Sequence, residues 1–173
     1  MILVEDKAGM PAAVRWIDRA VEDIGRWSAW TAFALVCVMA GNVLLRYAFN
    51  TGSVWAQELE WHLMSPICLF GMSYALAHGE HVRVDVLFAK YAPKTKLAVE
   101  IVSATLGLLV CVAVVWLSRN YVAQSFGQNE ASANPGGIPW RWALKGLIPI
   151  GFAVLGAQYA ALIARYWIRF RAV

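Results

Sequence analysis

Acidic and basic residues are missing from four long stretches of this chain, which run over residues 27–45, 61–77, 101–117 and 146–164. Each stretch has 17 to 19 residues. At 1.5 Å per helical residue these extend about 25–29 Å, close to the thickness of the hydrocarbon core of a bilayer. The absence of charge favours an integral membrane protein. It argues against a protein that moves ions through its own helices, because such a protein usually keeps ionisable groups at mid-depth.

Residue patterns that carry chemistry are also scarce. The three cysteines, Cys37, Cys68 and Cys111, show no CxxC spacing and are expected to be small packing residues inside the spans. All three histidines belong to the second stretch or its exit, which disfavours a haem held between facing helices. We recognise no metal-ligand motif, nucleophile–base set or phosphate loop, and therefore predict no catalytic, cofactor or metal site and no enzyme activity.

The length and composition fit a single transmembrane domain. Hydrophobic residues make up 60% of the 173 residues, and the mean hydropathy is +0.55. We predict an all-α membrane protein with a four-helix transmembrane domain over residues 27–167, whose spans cover 27–45, 61–77, 97–117 and 144–164. Residues 1–26 and 168–173 are predicted to be cytoplasmic tails.

The basic residues predict the orientation. Eleven of the 15 Lys and Arg residues lie in the two tails and in the second connection, and the first and third connections hold the rest. The positive-inside rule places the richer side in the cytoplasm. Both termini are then cytoplasmic.

The segment before the first span has its own apolar periodicity. Val14, Ile17, Val21 and Ile24 recur at steps of three and four residues, with charged residues between them. This pattern predicts an amphipathic helix over residues 12–26 that lies in the membrane interface. The alternative is a plain cytoplasmic extension of the first span.

Several polar and small residues are candidates for contacts between helices. Asn42 and Gln158 lie within spans, where an amide is expected to bond to a neighbouring helix. At the end of the first span Arg46 is predicted to pair with Glu58 and fix the hairpin. On the fourth span a four-residue spacing places three small residues on one face, where a partner helix can approach closely: Ala153, Ala157 and Ala161.

Short motifs at the span boundaries are more distinctive than any of these features. Arg-Tyr-x-Phe-Asn begins at residue 46, Trp-x-x-Glu-Leu at residue 55 and His-x-x-x-Asp at residue 81. Glu-Ala-Ser begins at residue 130 and Gly-Ile-Pro-Trp at residue 137. In this order the motifs resemble the small membrane subunit of tripartite ATP-independent periplasmic (TRAP) transporters, the DctQ-like family.

The resemblance implies a role in uptake. A periplasmic protein captures an organic acid, a large elevator-type membrane subunit imports it with a sodium gradient, and the small subunit binds and stabilises the large one. Sodium is then expected on the large subunit, and the chain in a bacterial or archaeal inner membrane. The positions expected at helix ends or at the partner interface are Arg46, Trp55, Glu58, His81, Arg83, Asp85, Ala153, Ala157 and Ala161.

Two other functions stay open at this point. One is a membrane anchor or cytochrome-type subunit of a redox complex, which would need haem ligands on facing helices. The other is a small self-assembling exporter, which would normally carry a mid-membrane acidic residue.

Overall fold

The computed structural model describes residues 10–80 and 91–172, most of which are helical. The helices are α1 (Ala12–Phe49), α2 (Val54–His78), α3 (Pro93–Gly127) and α4 (Arg141–Ala172). The all-α class is confirmed, and each predicted span falls inside one of these helices.

Three of the described helices, α1, α3 and α4, are long and apolar enough to cross a membrane. α2 has 25 residues, which extend about 37 Å along the helix axis. Polar side chains, such as His62, Ser65 and His78, interrupt its apolar sequence, and α2 is not among the helices that are long and apolar enough to cross a membrane. By length and composition together, the structure therefore supports three of the four predicted spans.

α1 is one continuous helix that includes both the predicted interfacial segment and the first predicted span. Residues 12–26 are helical, but the prediction of a separate interfacial helix is wrong. Val14 and Val21, on the apolar stripe expected to face lipid, are buried inside the protein. The helix continues through Gly25, which lies against Tyr74 of α2, where a Cβ would be 2.7 Å from the ring Cγ.

α4 is the central helix of the described structure. It contacts α1, α2 and α3, and packs most extensively on α3. In the apolar segment of α4, 33% of the residues are buried, against 11% in α1 and in α3. The core cluster accordingly comes from α2, α3 and α4: Leu76, Cys111, Leu155, Leu162 and Tyr166.

Small residues bring α3 and α4 close together. A Cβ on Gly107 would lie 2.5 Å from Cζ of Tyr159, so the ring of α4 rests directly on the backbone of α3. A Cβ on Gly156 would lie 3.3 Å from Cβ of Cys111. Small residues at such crossings allow the van der Waals contact that stabilises helix pairs in a membrane.

Candidate functional site

An acidic side chain in the first turns of α2, Glu58, organises the loop that joins α3 to α4. Its carboxylate accepts hydrogen bonds from the Ser132 hydroxyl, from Nδ2 of Asn134 at 3.3 Å and from the backbone N–H of Ile138 at 2.7 Å. Nη2 of Arg141 lies 3.6 Å from Oε1. Glu58 is only 3% exposed, so the loop encloses the carboxylate.

The sequence of this loop explains how the donors converge. The hydroxyl of Ser132 donates to Glu58 while its oxygen accepts the backbone N–H of Asn134 at 3.1 Å, which holds the loop around the carboxylate. At Gly137 a Cβ would lie 2.7 Å from Oε2 of Glu58, so a glycine is needed for the backbone to approach. We call these five residues, with Arg141, the Glu58 cluster: Glu58, Ser132, Asn134, Gly137 and Ile138.

The Glu58 cluster favours the ionised carboxylate. The hydrogen bonds from Ser132 and Ile138 lower the pKa of Glu58 most, and Asn134 and the charge of Arg141 lower it further, while burial acts in the opposite direction. Donors that bind the charged form stabilise it against protonation. The net effect is a pKa below the ordinary value for Glu, so Glu58 is a charged anchor at neutral pH.

A second ion pair lies at the same end of the molecule. Glu130 pairs with Lys145, which also lies 4.1 Å from the ring centre of Tyr121. The bond from Lys145 is the largest cause that lowers the pKa of Glu130. The backbone N–H of Arg141 donates to the carbonyl of Glu130 at 3.0 Å. These contacts attach the start of α4 to the end of α3.

A third ion pair lies near the other end of α4. Arg165 is 6% exposed and pairs with Asp18 of α1. Gln158, which is fully buried, donates to the same carboxylate oxygen at 3.3 Å. α4 is therefore attached by charged groups near both of its ends.

Two further contacts join α1 to α2. Asn42 donates to Glu60 at 3.3 Å, and Nε2 of His78 lies 3.3 Å from Glu22. The hydrogen bonds of Asn42 and Gln158 to other helices confirm that these amides join helices.

The predicted site residues fall into three groups. Arg46, Trp55 and Ala153 are exposed, so a partner can reach them. Glu58 and Ala161 are buried inside the chain, and Ala157 is half-buried. The residues that lie outside the described part of the chain are His81, Arg83 and Asp85.

The predicted pairing of Arg46 with Glu58 is wrong. Glu58 pairs with Arg141, about 80 residues away in sequence, and its other polar partners also belong to the loop before α4. The contact between Glu58 and this loop could have been expected from the sequence, because the predicted orientation places the loop motifs at 130–140 and the Glu58 motif on the same side of the membrane. The buried Asp18–Arg165 pair gave no comparable signal.

These groups have a structural role in the described chain. Within residues 10–80 and 91–172, no group of three or more His, Cys, Asp and Glu side chains is placed to hold a metal ion. The carboxylates of Asp18, Glu58 and Glu130 are each bound by donors from another segment of the chain. The arrangement therefore joins helices through their ends.

Long apolar helices that are tied together by polar groups near their ends define a multi-pass helical membrane protein. A comparison with protein families identifies the family within this class. Residues 35–169 match the family described as tripartite ATP-independent periplasmic transporters, DctQ component. The match covers most of the chain, and the chain therefore belongs to this family. The family is one of transport components and not of enzymes.

Curated relatives agree with this membership. The chain is 24% identical over 156 residues to the ectoine TRAP transporter small permease protein TeaB of Halomonas elongata, across 88% of this chain and 78% of that protein. It is 27% identical over 82 residues to the sialic acid TRAP transporter small permease protein SiaQ of Vibrio cholerae, across 47% of each. A putative TRAP transporter small permease protein of Haemophilus influenzae is 28% identical over 74 residues, across 43% of this chain and 46% of that protein.

Proposed function

We propose that this chain is the small permease subunit of a TRAP-type secondary transporter and serves as a scaffold that binds and stabilises the large membrane subunit. The observation that carries the proposal is the family match over residues 35–169. The attachment of α4 to its neighbours near both ends supports a rigid role. Substrate binding is assigned to the partners.

The proposal includes four spans with both termini in the cytoplasm of an inner membrane. α2 is long enough to be the fourth span, and it lies between α1 and α4, which are both apolar enough to cross the bilayer. The excess of Lys and Arg in the tails and second connection sets the orientation. The Glu58 cluster then faces the periplasm.

The exposed apolar faces supply the surface for the large subunit. In the apolar segments of α1 and α3, most residues are not buried within the chain, including Trp30, Phe33 and Leu106. In a membrane such faces contact lipid or another helix. Arg46, Trp55 and Ala153 remain the interface candidates among the described residues.

The cargo in this proposal is an organic acid that enters with a cation gradient. Ectoine and sialic acid, named in two relatives, are small molecules that carry a carboxyl group. A periplasmic binding protein delivers the cargo, and the coupling sodium binds to the large subunit. The small subunit needs no cofactor.

Reconstitution tests the scaffold proposal. The large subunit is purified with and without this chain, and uptake into liposomes is measured with the binding protein present. We expect the two membrane subunits to purify together and uptake to require both. Full uptake by the large subunit alone, or uptake by this chain alone, would contradict the scaffold role, and a haem spectrum of the purified chain would favour the redox alternative.

A matched pair of variants tests the interface on α4. Ala153 and Ala143 are both exposed on this helix, but only Ala153 belongs to a predicted small-residue face. Ala153→Trp is expected to weaken co-purification with the large subunit, and Ala143→Trp is expected to leave it unchanged. Equal effects of the two variants would remove the predicted face from the interface.

A further inference from the structure

A cavity of about 280 Å³ opens on the protein surface next to the Glu58 cluster, between α2, the end of α3 and the start of α4. This volume is near the lower end of small-ligand sites. Its walls combine two cationic side chains, Arg141 and Lys145, with an apolar surface formed by Trp61, Leu69, Leu144 and Ile148. The carboxylate of Glu58 also lines the cavity, but its oxygens are already bound by the donors of the Glu58 cluster. A ligand that fits must therefore be part charged and part apolar.

An unpartnered histidine nitrogen adds a specific requirement. His62 lines the cavity, and its Nδ1 lies 2.7 Å from the backbone carbonyl oxygen of Glu58. A carbonyl only accepts hydrogen bonds, so Nδ1 carries a proton, and in that tautomer of the imidazole Nε2 is an acceptor. That Nε2 is buried and has no partner within the protein. A buried polar atom of this kind usually bonds to a ligand or a water.

Arg141 supplies the complementary donors. Its guanidinium is 34% exposed, and its contact with Glu58 at 3.6 Å is longer than a hydrogen bond. The planar group therefore keeps N–H donors for a ligand, and its geometry matches the oxygens of a phosphate. Lys145 is held by Glu130, so Arg141 is the more available of the two cations.

The position of the cavity points to a lipid. It lies where the helices α2, α3 and α4 meet the polar loop, which the proposed four-span topology places in the headgroup region. Trp61 and Tyr121 line it, as aromatic residues do at membrane interfaces. Leu144 and Ile148 of its wall continue into the apolar segment of α4. The first carbons of an acyl chain can follow this surface.

We propose that this cavity binds the phosphate of a membrane lipid whose headgroup also carries a hydrogen-bond donor, as in phosphatidylglycerol or phosphatidylethanolamine. The phosphate bonds to Arg141, the hydroxyl or ammonium donates to Nε2 of His62, and the glycerol backbone lies against Leu144 and Ile148. Phosphatidylcholine has the phosphate but no donor, so it satisfies only Arg141.

Native mass spectrometry of the full-length protein in detergent tests this site, with each of the three lipids added at equal concentration. We expect phosphatidylglycerol and phosphatidylethanolamine to be retained about tenfold better than phosphatidylcholine, the effect of one buried hydrogen bond. His62→Phe removes the acceptor and should abolish the preference. His78→Phe is the matched control, since His78 makes the same Nδ1 contact to a carbonyl four residues earlier but lies at the opposite end of α2.

A second variant keeps the test valid if His62→Phe is unstable. Ser65→Met places a flexible apolar chain in the cavity and leaves His62 in place, so lipid retention should fall while the thermal midpoint of the lipid-free protein is maintained. Equal retention of the three lipids by the wild type, an unchanged preference in His62→Phe, or unchanged lipid retention in Ser65→Met would overturn the proposal. Displacement of the lipid by millimolar inorganic phosphate would assign the site to free phosphate and also overturn it.

Discussion

The buried ion pair between Asp18 and Arg165 yields a quantitative prediction. Asp18→Leu leaves Arg165 charged and 6% exposed, with its Nε already lacking a partner. Breaking a buried pair from one side costs about 3–5 kcal/mol, and the lower value applies here because the Asp18 side chain is 16% exposed. A loss of about 3 kcal/mol corresponds to a fall in the thermal midpoint of about 6–12 °C in a chain of this size.

The two single variants, Asp18→Leu and Arg165→Met, should differ in how much stability they lose. Arg165→Met leaves Asp18, which water reaches more easily, so we expect a smaller loss of about 1–2 kcal/mol. The double variant Asp18→Leu/Arg165→Met leaves no uncompensated charge in the pair and should return to within about 1 kcal/mol of the wild type. The same reasoning predicts a strongly favourable coupling energy in the double-mutant cycle.

Thermal unfolding in detergent, followed by tryptophan fluorescence and circular dichroism, measures these changes. Asp23→Leu is the control, because Asp23 is an exposed acid on the same helix and its removal should change stability by about 0.5 kcal/mol or less. A double variant as unstable as Asp18→Leu would refute the argument, since the loss would then come from packing and not from an unpaired charge.

Three further predictions concern Glu58, the loop before α4 and the α3–α4 contact. Folding lowers the pKa of Glu58 below the ordinary Glu value of 4.5, so the stabilisation from the ionised carboxylate is complete above pH 4.5 and is lost as the pH falls through the lower folded value. Between pH 7 and pH 3 the thermal midpoint should therefore fall less in Glu58→Gln than in the wild type. Gly107→Ala should destabilise the protein by about 1–3 kcal/mol, because the new Cβ meets the ring of Tyr159. Gly146→Ala is the control, since its Cβ enters open space and should not destabilise the protein. Equal unfolding midpoints of the two variants would contradict the close contact. Trp140 is 62% exposed and has a φ of 63°, in the left-handed region. Trp140→Gly should therefore relieve about 1 kcal/mol of backbone strain and raise the thermal midpoint in detergent. A lower midpoint would argue against that strain.

Much of the helical framework could be predicted because it depends on local pattern. A run without charge and of the right length specifies a membrane helix whatever its neighbours are. The turn between α1 and α2 also depends on local residues, since Asn50 adopts a left-handed conformation and Ser53 accepts the N–H of Ala56 at the start of α2. The bonds of Asn42 and Gln158 to other helices followed from the cost of an unpaired amide in lipid.

The polar contacts could not be predicted to the same extent because they join distant segments. Arg46 was preferred as the partner of Glu58 on proximity in sequence, but the loop before α4 brings three hydrogen-bond donors to the same carboxylate, and Arg141 adds its charge. That approach depends on backbone conformations at Gly137 and Trp140 that apolar periodicity does not encode. The interfacial helix was mispredicted for a related reason, since an apolar stripe fits a protein surface as well as a lipid surface.

The distribution of these contacts along α4 bears on how the chain works. At one end of α4, Arg141 and Lys145 pair with Glu58 and Glu130, and towards the other end Arg165 pairs with Asp18. A shift of α4 by one helical turn moves its side chains by about 5.4 Å and would break the ion pairs at both ends together. Sliding of α4 past α1 and α2 is therefore strongly opposed. The scaffold role proposed for this chain requires such resistance to sliding, and these contacts support that proposal.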